Sequence, residues 1–187
     1  MDSDVKIFNP EQLQSQPLGE DLEALAAQTE QLRESGDLTR AKRLGRELAA
    51  LSAQSEELGE FVQSFALSLT PAWEQQLHVL MVFSCQQALR ALLPKLLSEA
   101  AITTMNNYLI NRSKTFWDTI SDGSAFTQYL LAAQVSSKKD AAADSEIGVA
   151  FARVCGQEDN PDLRNLGTAM FNSAWELVKA KWAAGEA

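Results

Sequence analysis

Leu44, Leu48, Leu51, Ser55, Leu58, Val62, Phe65 and Leu69 follow one another at gaps of 4, 3, 4, 3, 4, 3 and 4. Gly45, Ser52, Gly59 and Ala66 stand beside them, every seventh residue. This spacing predicts one long helix with an apolar seam and a ridge of small side chains, a surface on which a second helix can lie close. A matching seam precedes it in Leu18, Leu22, Leu25, Thr29 and Leu32, with Gly19 and Ala26 just after two of its positions. Ser35, Gly36 and Asp37 interrupt the two. Glycine suits the left-handed residue that ends a helix, and Asp37 can accept a backbone N–H of the next turn. The simplest connection is an antiparallel hairpin over residues 18–69. Residues 1–17 are polar and are expected to form an extended lead segment.

The remaining residues, 70–187, keep a helical period. Thr70 before Pro71 reads as a cap and first-turn pair. The helix that follows is apolar on nearly all sides from Leu77 to Phe83, which marks a buried central element. Pro94 ends it. Further helices are expected from Lys95 to about Asn111, across Phe116 and Trp117, and along Phe126, Tyr129, Leu130 and Ala133. Ser136 to Asp144 reads as a loop. Another helix carries Ile147, Phe151 and Val154 and closes at Gly156. Asn160 before Pro161 launches the last one, with Leu163, Leu166, Met170, Phe171, Ala174, Trp175 and Val178 in its packed stripe. No run of alternating β-branched residues occurs. The expected fold is all-α, an irregular bundle of about seven or eight helices with an N-terminal antiparallel helical hairpin, the hairpin forming one domain with the core or an arm on it.

Charge narrows the partners. The formal balance is −9, with 6 basic against 13 acidic residues in the first 70 positions and 10 against 12 in the rest. Such a surface repels phosphate backbones, so nucleic acid is not an expected partner. Arg40, Lys42, Arg43 and Arg46 form a basic cluster that could dock an acidic partner. Arg40 and Arg43, together with Trp182 in the last helical turn after Lys179 and Lys181, are the candidate partner-binding residues. The most apolar stretch, Leu77 to Leu97, is interrupted by His78, Gln86, Gln87, Arg90, Pro94 and Lys95, so no membrane span is expected. The chain also lacks a signal-peptide pattern at its start, and Cys85 and Cys155 stand far apart. A cytoplasmic location with reduced thiols fits best.

Candidate chemistry is sparse. His78, the only histidine, lies four residues after Glu74 and seven before Cys85. On a helix the three share a face, as a carboxylate, imidazole and thiol would in a nucleophilic site. The apolar surroundings instead favour a core histidine and an inert cysteine. One histidine cannot furnish the paired Glu-x-x-His motifs of a di-metal bundle, and two cysteines cannot build a zinc site. No Gly-rich turn leads into a Lys-Ser or Lys-Thr pair, so nucleotide hydrolysis is not indicated. No cofactor is implied. Asn106, Asn107, Asn111 and Arg112 gather near the end of one helix, where amides finish the helix, bond across it or line a polar cavity. Asn107, Asn111, Arg112, Asp122 and Arg153 are therefore the candidate ligand-binding residues, provided that their helix ends converge.

These features support three readings. The first is a helical protein-interaction or scaffold protein that binds another chain or a second copy of itself. The alternative is a small-molecule-binding helical module. An enzyme using His78 with Glu74 or Cys85 comes third, and with no catalytic motif in view the chain is not expected to be one.

Overall fold

Local signals place most helix ends where the sequence puts them. The computed structural model describes residues 18–65, 67–136 and 143–185. The polar lead segment 1–17, Ala66 of the ridge and most of the expected loop at 136–144 lie outside the described residues. The helices are α1 (Leu18–Glu34), α2 (Asp37–Ser52), α3 (Ser55–Gln63), α4 (Pro71–Leu92), α5 (Lys95–Arg112), α6 (Lys114–Ser121), α7 (Ser124–Ser136), α8 (Ala143–Val154) and α9 (Pro161–Ala184). Among the described residues there is no strand, and the architecture is an all-α multi-helix bundle.

The chain divides into two compact units, 1–37 and 38–187. In the first, α1 ends as its sequence predicts. Gly36 takes a φ of 83°, and the Ser35 N–H bonds the Gln31 carbonyl. The Asp37 carboxylate accepts the Ser35 hydroxyl at 2.8 Å. Leu22 and Leu25 of the seam are 61 % and 46 % exposed.

In the second unit the caps behave as expected. The Thr70 hydroxyl accepts the Trp73 N–H and Pro71 occupies the first turn of α4. The Asn160 amide oxygen accepts from Asp162 and Leu163 at the start of α9. Every residue of α4 from Leu77 to Gln86 is buried, because α5, α7, α8 and α9 all pack against it. An element enclosed on that many sides must be apolar all round, which explains its weak amphipathicity. In α9 the buried residues are Leu163, Leu166, Gly167, Met170, Phe171, Ala174 and Val178. Trp175 is only half-buried. On α7 the buried face is Ala125 and Tyr129, and Leu130 turns to solvent.

The structure corrects the long helix. The seam from Leu44 to Leu69 is not carried by one rod, because the chain breaks after Ser52 and restarts at Ser55. No glycine or proline marks the place. The Ala53 and Gln54 N–H groups turn inward to the Ala50 and Leu51 carbonyls, and the Ser52 hydroxyl bonds back to the Leu48 carbonyl at 2.8 Å. Back-bonding of this kind bends a helix. The freed Ser52 carbonyl lies 2.7 Å from His78 Nδ1 on α4. Since a carbonyl only accepts, that nitrogen carries the proton and caps the end of α2. The break adds one helix to the expected count.

The small-residue ridge does bring a helix close, at one position. A Cβ on Gly45 would lie 2.1 Å from the Ala101 carbonyl oxygen, so the α2 backbone rests directly on α5. Ser52 is also buried. At Gly59, by contrast, an added Cβ would meet nothing within 4 Å. On α2 the ridge is thus an internal contact with α5.

Candidate functional site

The helix break, α4, the end of α5 and α6 together border an open cleft of about 190 Å³, lined by Ala53, His78, Leu109, Arg112, Ser113 and Phe116. Each wall has a local cause. Ala53 stands in the gap between α2 and α3, the place where the chain leaves the helix. His78 is 92 % buried, from a relative exposure of 8 %, and is anchored by the Ser52 carbonyl. Leu109 is a core residue of α5. Arg112 ends that helix, and Ser113 starts the next one by accepting the Phe116 N–H on its hydroxyl. This cap turns Phe116 edge-on to the imidazole, with ring centroids 6.0 Å apart and planes at 77°.

Polarity in the cleft is lopsided. His78 Nε2 sits 4.0 Å from Glu74 Oε1, which is ion-pair range but beyond a hydrogen bond. Arg112 is exposed, and among the described residues no carboxylate pairs with it. The remaining walls are mostly hydrocarbon.

Of the other sequence candidates for ligand binding, Asn107 and Asn111 are exposed on α5, and neither lines the cleft. Their neighbour Asn106 accepts the Gln86 amide at 3.0 Å, bonding across to α4. Asp122 accepts the Ser124 N–H at 2.8 Å, and that N–H together with the Ser124 hydroxyl holds its carboxyl below the usual carboxylate range. Arg153 pairs with Glu158 at 2.6 Å. The hydrogen bond pushes the guanidinium up and the carboxyl down. Only Arg112 of the five reaches the cleft. His78 joins it through a contact that the sequence did not reveal, and Phe116 was legible only as part of an expected helix.

The three partner candidates do converge. The Arg40 guanidinium lies over the Trp182 ring, 3.7 Å from its centroid, and donates to the Trp182 carbonyl. Arg43 and Lys181 flank Glu47, with N···O distances of 3.9 Å and 3.5 Å. These residues line a hollow of about 140 Å³ between the start of α2 and the end of α9. Here the indole is occupied by its own chain, as a clasp between two helix ends 142 positions apart.

The sequence row of Glu74, His78 and Cys85 is split by burial. Cys85 is fully buried. Loss of water around the thiol pushes its pKa up to about 12, against a smaller lowering from a Ser52 hydrogen bond. Burial likewise raises Cys155 to about 12. Both cysteines are free. Among the described residues, no three His, Cys, Asp or Glu side chains gather as metal ligands would, and no helix is long and apolar enough to cross a membrane. Compared with known proteins, the chain matches no protein family, no curated protein and no solved structure.

Proposed function

We propose that this chain is a cytoplasmic helical protein-interaction module that self-associates, with α1 of one copy pairing against α1 of another. The supporting observation is the exposure of Leu22 and Leu25, two neighbouring positions of a heptad seam. The α2 ridge, the other helix-pairing surface of the sequence, is spent on α5 at Gly45.

Charge placement favours a second copy as the occupant. With Leu22 at position a and Leu25 at position d, Glu23 and Glu30 fall at b, and Glu20 and Glu34 at f, the outer positions of the wheel. The seam is flanked on one side by Gly19, Ala26 and Arg33, and on the other by Asp21 and Gln28. Little like charge therefore opposes self-pairing, although the segment is acidic as a whole. Antiparallel pairing brings the Gly19 and Ala26 edges together, and small residues there permit a close approach. A helix of this length is marginal alone, so pairing also stabilises it. The free thiols support a reducing compartment. The net charge of −9 disfavours nucleic acid as a partner. Glu74, His78 and Cys85 carry no catalytic role in this reading, in keeping with a thiol held protonated by burial.

Sedimentation equilibrium on the full chain tests the proposal. A short seam implies association at roughly micromolar to tens of micromolar concentration. The wild-type chain should reach dimer mass in that range, and the double variant Leu22→Glu/Leu25→Glu should stay monomeric with an unchanged thermal melt. A wild-type chain that is monomeric up to about 100 µM, or a double variant that dimerises equally well, overturns it.

A further inference from the structure

The cleft beside His78 has no part in helix pairing, yet its walls converge from four places in the chain on one cation that no carboxylate pairs with among the described residues. Arg112 is that cation, in a protein whose net charge is −9. A guanidinium without a carboxylate partner presents a planar fork of donors, matched by the two oxygens of a carboxylate. Facing it are Ala53, Leu109 and Phe116, which offer hydrocarbon and an aromatic ring. The cleft measures about 190 Å³, somewhat more than the roughly 150 Å³ that accommodates a benzene ring in an engineered protein cavity. We infer that this cleft binds a small carboxylic acid with an apolar body, of about the size of benzoate. Its carboxylate bonds Arg112 and its body lies against Phe116 and Leu109.

Two details favour this class of ligand over a bare anion. Inorganic phosphate would leave the apolar walls wetted and gain nothing from them. Among the lining residues only Arg112 is a guanidinium or ammonium, so the second negative charge of phosphate or of a diacid would find no further such cation there. His78 acts as a fixed wall, because Ser52 holds its Nδ1 and Phe116 packs on its edge. That wall is therefore preformed, and the exposed Arg112 side chain is the part that orders on binding.

Titration calorimetry with benzoate on the full chain reads the inference. A ligand of about nine non-hydrogen atoms in a site this open is expected to bind with a dissociation constant on the order of 0.1–1 mM. Arg112→Gln, an exposed substitution that leaves the core intact, should weaken benzoate at least about tenfold, and benzyl alcohol should bind the wild type as weakly as benzoate binds the variant. Inorganic phosphate should not saturate. Ala53→Leu, which fills the cleft from the helix break, should abolish benzoate binding, with circular dichroism confirming that the variant is folded. If benzoate fails to saturate at about 10 mM, if Arg112→Gln binds it unchanged, or if phosphate competes as an equal, the inference is wrong.

Discussion

A single methyl group added at Gly45 should destabilise the protein, whereas the same methyl at Gly59 should stabilise it. Both glycines lie on helices and on the same edge of one heptad repeat. At Gly45 the new Cβ would stand 2.1 Å from the Ala101 carbonyl oxygen, 2.8 Å from its carbon and 3.0 Å from its Cα. All three are backbone atoms, so no side chain can rotate away. The helices must part by roughly 1 Å to restore ordinary contact. That displacement disturbs Leu44, Leu48 and Ala49, which are buried around the same contact. Overpacking of this kind costs about 1–3 kcal/mol, against a gain of about 0.5–1 kcal/mol for replacing a mid-helix glycine with alanine. The net expectation for Gly45→Ala is a loss of about 1–2 kcal/mol, or a Tm lower by roughly 2–8 °C for a chain of this size. At Gly59 nothing lies within 4 Å of the added atom, so only the propensity gain remains and Tm should rise by about 1–4 °C. Urea unfolding followed by far-ultraviolet circular dichroism gives both values. Equal signs for the two variants would refute the close α2–α5 contact, as would a Gly45→Ala protein as stable as the wild type.

Two further outcomes follow from buried polar groups. The Tyr129 hydroxyl is buried with no hydrogen-bond partner among the described residues, and burial pushes its pKa upward. Tyr129→Phe should therefore leave stability unchanged or raise it by up to about 1–3 kcal/mol, and a loss beyond about 0.5 kcal/mol in the same unfolding assay would show that the hydroxyl is satisfied. For Cys85 the folded pKa of about 12 stands above the reference value of 9.0, so the stabilisation is complete below pH 9 and is lost as pH rises toward 12. Its contribution should fall by roughly 2 kcal/mol by about pH 10.5. Cys85→Ala should flatten this part of the stability profile, and parallel profiles for the two proteins between about pH 8 and pH 10.5 would contradict the thiol's burial.

How much of this was legible in the sequence depended on how far apart the deciding residues lay. Thr70–Pro71 and Asn160–Pro161 announced helix starts because a cap needs only the next three residues. Gly36 likewise ended α1 through its own φ. The near-continuous apolar run of α4 gave its central position, since only an enclosed helix can be apolar all round. The ridge at Gly45 announced that something comes close but not that Ala101 does. Arg40 and Trp182 each stood out as unusual surface residues, yet their contact spans 142 positions and no periodicity encodes it. Of the polar residues near the end of α5, the exposed amides drew attention to Asn107 and Asn111, while the tertiary arrangement brought Arg112 to the cleft. Amide composition reports a helix end well and a cavity poorly.

The break between α2 and α3 shows why the cleft itself was hidden. The residues from Ser52 to Ser55 are compatible with a helix, and the heptad seam runs straight through them. Beside the Ser52 back-bond, a group from another element holds the break, since His78 takes the carbonyl that a continuing helix would give to residue 56. One imidazole thus substitutes for a backbone bond, fixes its own tautomer and leaves Ala53 as the cleft's outer wall. An apolar residue at position 78 would remove the donor and leave a buried carbonyl unpaired, and α2 would then gain by running on into α3. The solitary histidine that invited a catalytic reading is explained first by this architectural bond, and the cleft follows from it.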